Sequence, residues 1–168
     1  MYRIIEYTLL FIIVSLLQFF VFSNLSLGVY VNPMLYLGFI ILLPIELSAF
    51  WTLMLSLVMG FSMDYMLMGF GLNTIACLFT GFIRPFVLRL IIARDETLES
   101  GIPTTRKLGR DKFLKYSSII ITLHCLIFFS LEAPNFTYFH FTLLRILTNS
   151  LLSILLIYFT QYLFTNKR

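Results

Sequence analysis

The stretch 34–63, MLYLGFIILLPIELSAFWTLMLSLVMGFSM, decides the fold. It is apolar for 30 residues, interrupted by Pro44, Glu46 and Ser48. As a single helix it would be about 45 Å long, against a bilayer hydrocarbon core of about 30 Å. Pro44 removes a backbone donor and weakens the helical ladder. Glu46 is a charge that favours an interface over hydrocarbon. The run therefore reads as two short helices, 33–47 and 49–63, with a tight turn near Glu46. Asn32-Pro33 marks the start of the first, because proline suits a first helical turn. The competing reading is one tilted helix.

The rest of the chain sets the class. Of 168 residues, 60% are apolar and 12% charged. Soluble domains carry about 25% charged residues, so this composition cannot cover a water-facing surface. It predicts an all-α, polytopic membrane protein with one membrane domain over 1–168 and no separate soluble catalytic domain. The first span is 4–22. Its apolar part exceeds a usual signal-peptide core and no small-residue cleavage site follows, so it reads as a retained anchor. Further helices are expected at 71–90, 113–131 and 138–164, which makes six spans; the single-helix reading of 34–63 makes five. Residues 93–113 form the long polar loop. Cys77 and Cys125 lie inside apolar runs, which suggests neither a disulfide nor a metal site.

Basic residues orient the bundle. Arg3, Arg94, Arg106, Lys107, Arg110, Lys112, Lys115, Lys167 and Arg168 fall on one side of the six-span topology. The opposite loops, about 23–33, 64–70 and 132–137, hold no Lys or Arg. The positive-inside rule makes the 93–113 loop and both termini cytoplasmic. The net charge of +4 thus reads as topology rather than nucleic-acid binding.

The remaining charges are intramembrane candidates. Asp64, Glu132 and Arg145 form a layer near the external face; Glu46, Arg84 and Arg89 form one near the cytoplasmic face. Each layer mixes signs, so Arg145 is expected to contact Glu132 or Asp64, and Arg84 to lie near Glu46. Such pairs more often fix helix register than carry protons. His124 falls mid-helix, two turns before Glu132, where a lone histidine more often bonds a neighbouring helix. Tyr30, Tyr36, Trp51, Tyr65 and Tyr138 fit an interfacial aromatic belt. No nucleophile motif, HExxH or second membrane aspartate accompanies these groups. The expectation is therefore no enzyme, no cofactor and no metal.

The ordered set Asn32-Pro33, Tyr36, Leu43-Pro44-Ile45-Glu46, Trp51, Gly60, Asp64, Gly71, Ile83-Arg84-Pro85, His124 and Leu131-Glu132 resembles the bacterial rod shape-determining MreD family. The likeness covers most of the chain and is densest over 32–89. It implies a six-helix fold like the substrate-binding membrane subunits of vitamin-uptake transporters. It also implies a non-enzymatic scaffold of the cell-elongation machinery in the bacterial inner membrane. The implied partner is MreC, with indirect links to MreB, RodA and a class B penicillin-binding protein. Pro44, Glu46, Asp64, Gly71, Arg84, Pro85, His124, Glu132 and Arg145 are then the structural or partner-binding candidates. Arg106, Lys107, Arg110, Lys112 and Lys115 would face the filament or anionic lipid, which attracts each by about 1 kcal/mol.

Two other functions compete. A substrate-binding subunit of a vitamin transporter would share the fold, but residues 4–22 contain no Ala or Gly for close small-residue packing. An ion-coupled carrier or intramembrane enzyme would use Asp64, His124 and Glu132.

Overall fold

A computed structural model describes residues 2–22, 31–92, 101–133 and 139–165. Arg94, Tyr30, Tyr138, Lys167 and Arg168 lie outside the described residues, as does the side chain of Arg3. The described residues are mostly helical and hold no strand, with α1 (Tyr2–Leu17), α2 (Leu37–Ile41), α3 (Ala49–Leu67), α4 (Leu72–Ile91), α5 (Thr105–Leu108), α6 (Arg110–Glu132) and α7 (Phe139–Thr165). A π-helical turn, Gln18–Phe22, continues α1. By length and composition α3, α4, α6 and α7 can each cross a membrane, as a multi-pass membrane protein requires.

Seven helices replace the expected six among the described residues. The break near Glu46 is present: α3 begins at Ala49, where the Ser48 side chain accepts a hydrogen bond from the Trp51 amide. One continuous helix over 34–63 is therefore excluded. The expected helix 33–47 is not formed along its length. Only the five residues of α2 are helical, and residues 33–41 are fully buried. Helix α3 runs to Leu67, four residues past its expected end, and closes on Met68 at φ 52°. Helix α6 starts three residues early, at Arg110. The polar loop is also anchored, since the Ile45 amide donates to the Gly101 carbonyl at 2.9 Å and α5 packs against α6 and α7.

The buried faces of the long helices are unusually polar. Helix α3 turns Thr52, Ser56, Gly60 and Asp64 inward, at intervals of four. Helix α4 turns in Asn73, Thr80, Gly81 and Arg84. Helix α7 contributes Asn149, Ser150 and Ser153. Large apolar side chains such as Phe61, Phe70, Leu90 and Leu151 lie outside. Lipid is as apolar as leucine, so helices here associate by close packing and polar contacts rather than by a hydrophobic gain. Gly60 shows the packing: a Cβ there would sit 2.6 Å from the Thr74 Cα.

Candidate functional site

Residues 31–48 pose a physical problem, because they cross the interior with little helix. Their backbone N–H and C=O groups have no water to bond and are tolerated only if protein satisfies them. Polar side chains of α1, α4, α6 and α7 do so. The Gln18 amide donates to the Pro33 carbonyl at 3.0 Å and accepts from the Leu35 amide at 2.7 Å. The π turn that begins at Gln18 is a register change of the kind that accompanies such an inward side chain. Ser153 accepts from the Met34 amide at 2.9 Å, and Asn149 accepts from the Asn32 amide.

The other end is closed by Arg84. Helix α2 stops at Ile41 and leaves carbonyls without intrahelical partners. Arg84, 2% exposed, donates through Nη2 to the Leu43 carbonyl and through Nε to the Tyr116 hydroxyl at 2.9 Å. Tyr116 in turn donates to the Ile41 carbonyl at 3.2 Å. The partial negative charge at a helix C-terminus suits a cation. Arg84 thus takes neutral oxygens of the broken crossing, where a pair with Glu46 was expected. Glu46 itself is exposed in the turn, and Pro44 is half-buried beside it. Pro85 lies inside α4, which continues through it to Ile91.

Between these ends runs a buried polar chain. Asp64 accepts from the Asn73 amide (3.1 Å), the Asn73 side-chain nitrogen (3.0 Å) and the Thr74 amide (2.8 Å), as well as from the Thr74 hydroxyl. It acts as a cap on the first turn of α4, whose own N-cap residue, Gly71, has no side chain to offer. Gly71 is there for its backbone, at φ 84°. The Tyr36 hydroxyl lies 2.9 Å from Asn73 Oδ1 and 2.8 Å from His124 Nε2. His124 Nδ1 lies 2.9 Å from the Thr80 hydroxyl, which is also 2.7 Å from the Ala76 carbonyl.

The directions follow from the donor inventory. A carboxylate only accepts, so Asn73 presents its nitrogen to Asp64 and its oxygen to Tyr36. Tyr36 gives its single proton to that oxygen and must accept from His124 Nε2. In neutral histidine Nδ1 then accepts from Thr80. A second proton on His124 would reverse that bond and turn the Thr80 hydroxyl to Ala76. A cavity of about 570 Å³ reaches this polar chain, lined by Tyr36 and Asn73 together with Gln18, Asn32 and Glu132.

The expected charge layers are met unequally. Arg145 pairs with Glu132 at 2.8 Å and lies 4.7 Å from the Phe129 ring centroid, a cation–π distance. Asp64 is held by α4 instead. Tyr36 was expected at an interface and is instead 1% exposed in the core, whereas Trp51 and Tyr65 are exposed. Arg106, Lys107, Arg110 and Lys115 are exposed on α5 and the start of α6, with Lys112 half-buried. Among the described residues no group of three His, Cys, Asp or Glu side chains could hold a metal. Asn73, Thr80, Tyr116, Gln18, Asn149 and Ser153 were missed as site residues. Their signal was present as polar residues recurring on one face of an apolar helix, with Asn73 and Thr80 seven apart, in line with Arg84. No family model, curated protein or solved structure matches this chain.

Proposed function

We propose that this protein is a membrane scaffold of the MreD type, serving the bacterial cell-elongation machinery without catalysing a reaction. The observation that carries the reading is the use made of the resembling residues. Tyr36, Asp64, Gly71, Arg84 and His124 all serve to hold the broken crossing or the α3–α4 turn. A scaffold needs a rigid body of this kind, with its contacts to partners made by an apolar exterior. On this reading the helix of MreC docks on that exterior, and MreB, RodA and the class B penicillin-binding protein follow through it. The basic residues of α5 and α6 then face the cytoplasm at the inner membrane. Depletion in a rod-shaped host tests it, together with co-purification of MreC. Rounded cells and co-purification are expected; normal shape on depletion contradicts the reading.

The cavity beside Tyr36 and Asn73 favours a second reading, a ligand-binding or ion-coupled membrane subunit. Broken helices in transporters do place binding sites at such points. Stabilisation of the purified protein by a small solute, lost on substituting Asn73→Leu, would favour it over the scaffold.

A further inference from the structure

Two cavities at the Arg84 end of the bundle share a wall. The larger is an apolar groove of about 600 Å³ between α1 and α3. Phe11, Trp51, Leu55 and Val58 form its sides, and Phe39 and Leu43 of the broken crossing form its floor. The smaller, about 380 Å³, is polar at its far side, where Glu6, Thr104, Arg106 and Lys107 face it. Tyr7 and Pro44 line both cavities. An apolar slot therefore adjoins, across Tyr7 and Pro44, a cavity faced by two cations and one carboxylate.

The shape and charge select the occupant. From Trp51 to Val58 the α3 wall extends about 10 Å at about 1.5 Å per residue. A spanning helix would need contact along about 30 Å of bilayer, whereas part of one acyl chain fits. The cations sit where the headgroup of such a chain would lie. Gly101, at φ 126°, leaves the space that the Lys107 ammonium fills; a Cβ there would be 2.7 Å from Nζ. We propose that the two adjoining cavities bind one anionic glycerophospholipid, with an acyl chain in the groove and its phosphate at Arg106 and Lys107. Glu6 lines the same end and can accept from a headgroup hydroxyl, as phosphatidylglycerol carries. The inference does not depend on the scaffold reading.

Trp51, the chain's single tryptophan, is a built-in reporter on the groove wall. The full chain is reconstituted in phosphatidylcholine vesicles, and a small fraction of the lipid is replaced by phosphatidylglycerol with brominated acyl chains. Brominated phosphatidylcholine at the same fraction is the reference. The expected result is an apparent affinity for phosphatidylglycerol about fivefold above the reference, removed by the double substitution R106Q/K107Q. Val58→Phe, which fills the slot without altering charge, should weaken quenching by phosphatidylglycerol. Equal quenching by the two lipids overturns the proposal, as does a preference that survives R106Q/K107Q. Failure of both lipids to quench means that a protein segment covers the groove, and that also overturns it.

Discussion

Arg84 and Arg145 look alike in the sequence, each a cation inside an apolar helix with an acid available nearby. The folded chain treats them differently. Arg145 lies toward the rim, with its side chain 30% exposed, and takes the carboxylate of Glu132, which is 36% exposed. Arg84 is buried and takes a backbone carbonyl and a tyrosine hydroxyl. The difference lies in what each position needs. The rim needs nothing from Arg145 beyond a partner for Glu132. The interior contains a crossing that stops being helical at Ile41, and its stranded carbonyls need donors that a membrane cannot supply. An arginine, with several donors in a fixed fork, can serve the Leu43 carbonyl and Tyr116 together.

The largest effect expected from this contrast is at Arg84. A hydrogen bond to a charged group contributes about 1.5–3 kcal/mol, so Arg84→Met should destabilise the bundle by about 3 kcal/mol or more, read from unfolding in mixed detergent. Arg84→Lys should recover only part, since a single ammonium lacks the fork. A loss below that of Arg145→Met would mean that the buried arginine holds no more than the one at the rim.

Asp64 comes next. Asp64→Ala strips the cap from α4 and leaves several donors unpaired, a loss of about 2 kcal/mol. Asp64→Asn keeps an acceptor and should cost less. Circular dichroism of the purified variants would show whether the loss is confined to the stability of one helix end. Tyr36→Phe, which removes one hydroxyl and leaves Asn73 and His124 without their shared partner, should cost about 1 kcal/mol. Thermal unfolding in a fixed detergent resolves that difference. The smallest effect is at the rim, where Arg145→Met should cost about 0.5 kcal/mol because the pair is partly exposed. A double-mutant cycle with Glu132→Gln would sharpen this by isolating the pair from the contact with Phe129.

Much of the architecture was legible from the residues. Pro44 and Glu46 marked the break, four of the six expected spans coincide with long helices to within a few residues, and the span 4–22 coincides with α1 and its π turn. What failed was the helix over 33–47. Its run of Leu, Ile and Phe has good helical and strand character alike, and local propensity yields to tertiary context here. The residues that hold it lie far away in sequence, at Gln18, Arg84, Tyr116 and Ser153. Each by itself is an ordinary polar residue in an apolar run. Tyr36 was misplaced for the same reason: an amphipathic ring at an apparent helix end suits an interface, and only the positions of Asn73 and His124 draw it inward. The Arg145–Glu132 pair was readable because a short connection brings the two helix ends together. Asp64 was not, because its real partners are backbone amides across the Met68–Gly71 turn.

Residues 31–48 are a broken crossing held in place by polar side chains of other helices, some donating and some accepting. Hydrogen exchange of the peptide spanning 34–45, in lipid nanodiscs, tests this arrangement most directly. Protection comparable to that of α3 is expected, with a selective loss in Arg84→Met while α3 stays protected. Rapid exchange of 34–45 in the unaltered protein, or a segment indifferent to Arg84, would contradict it.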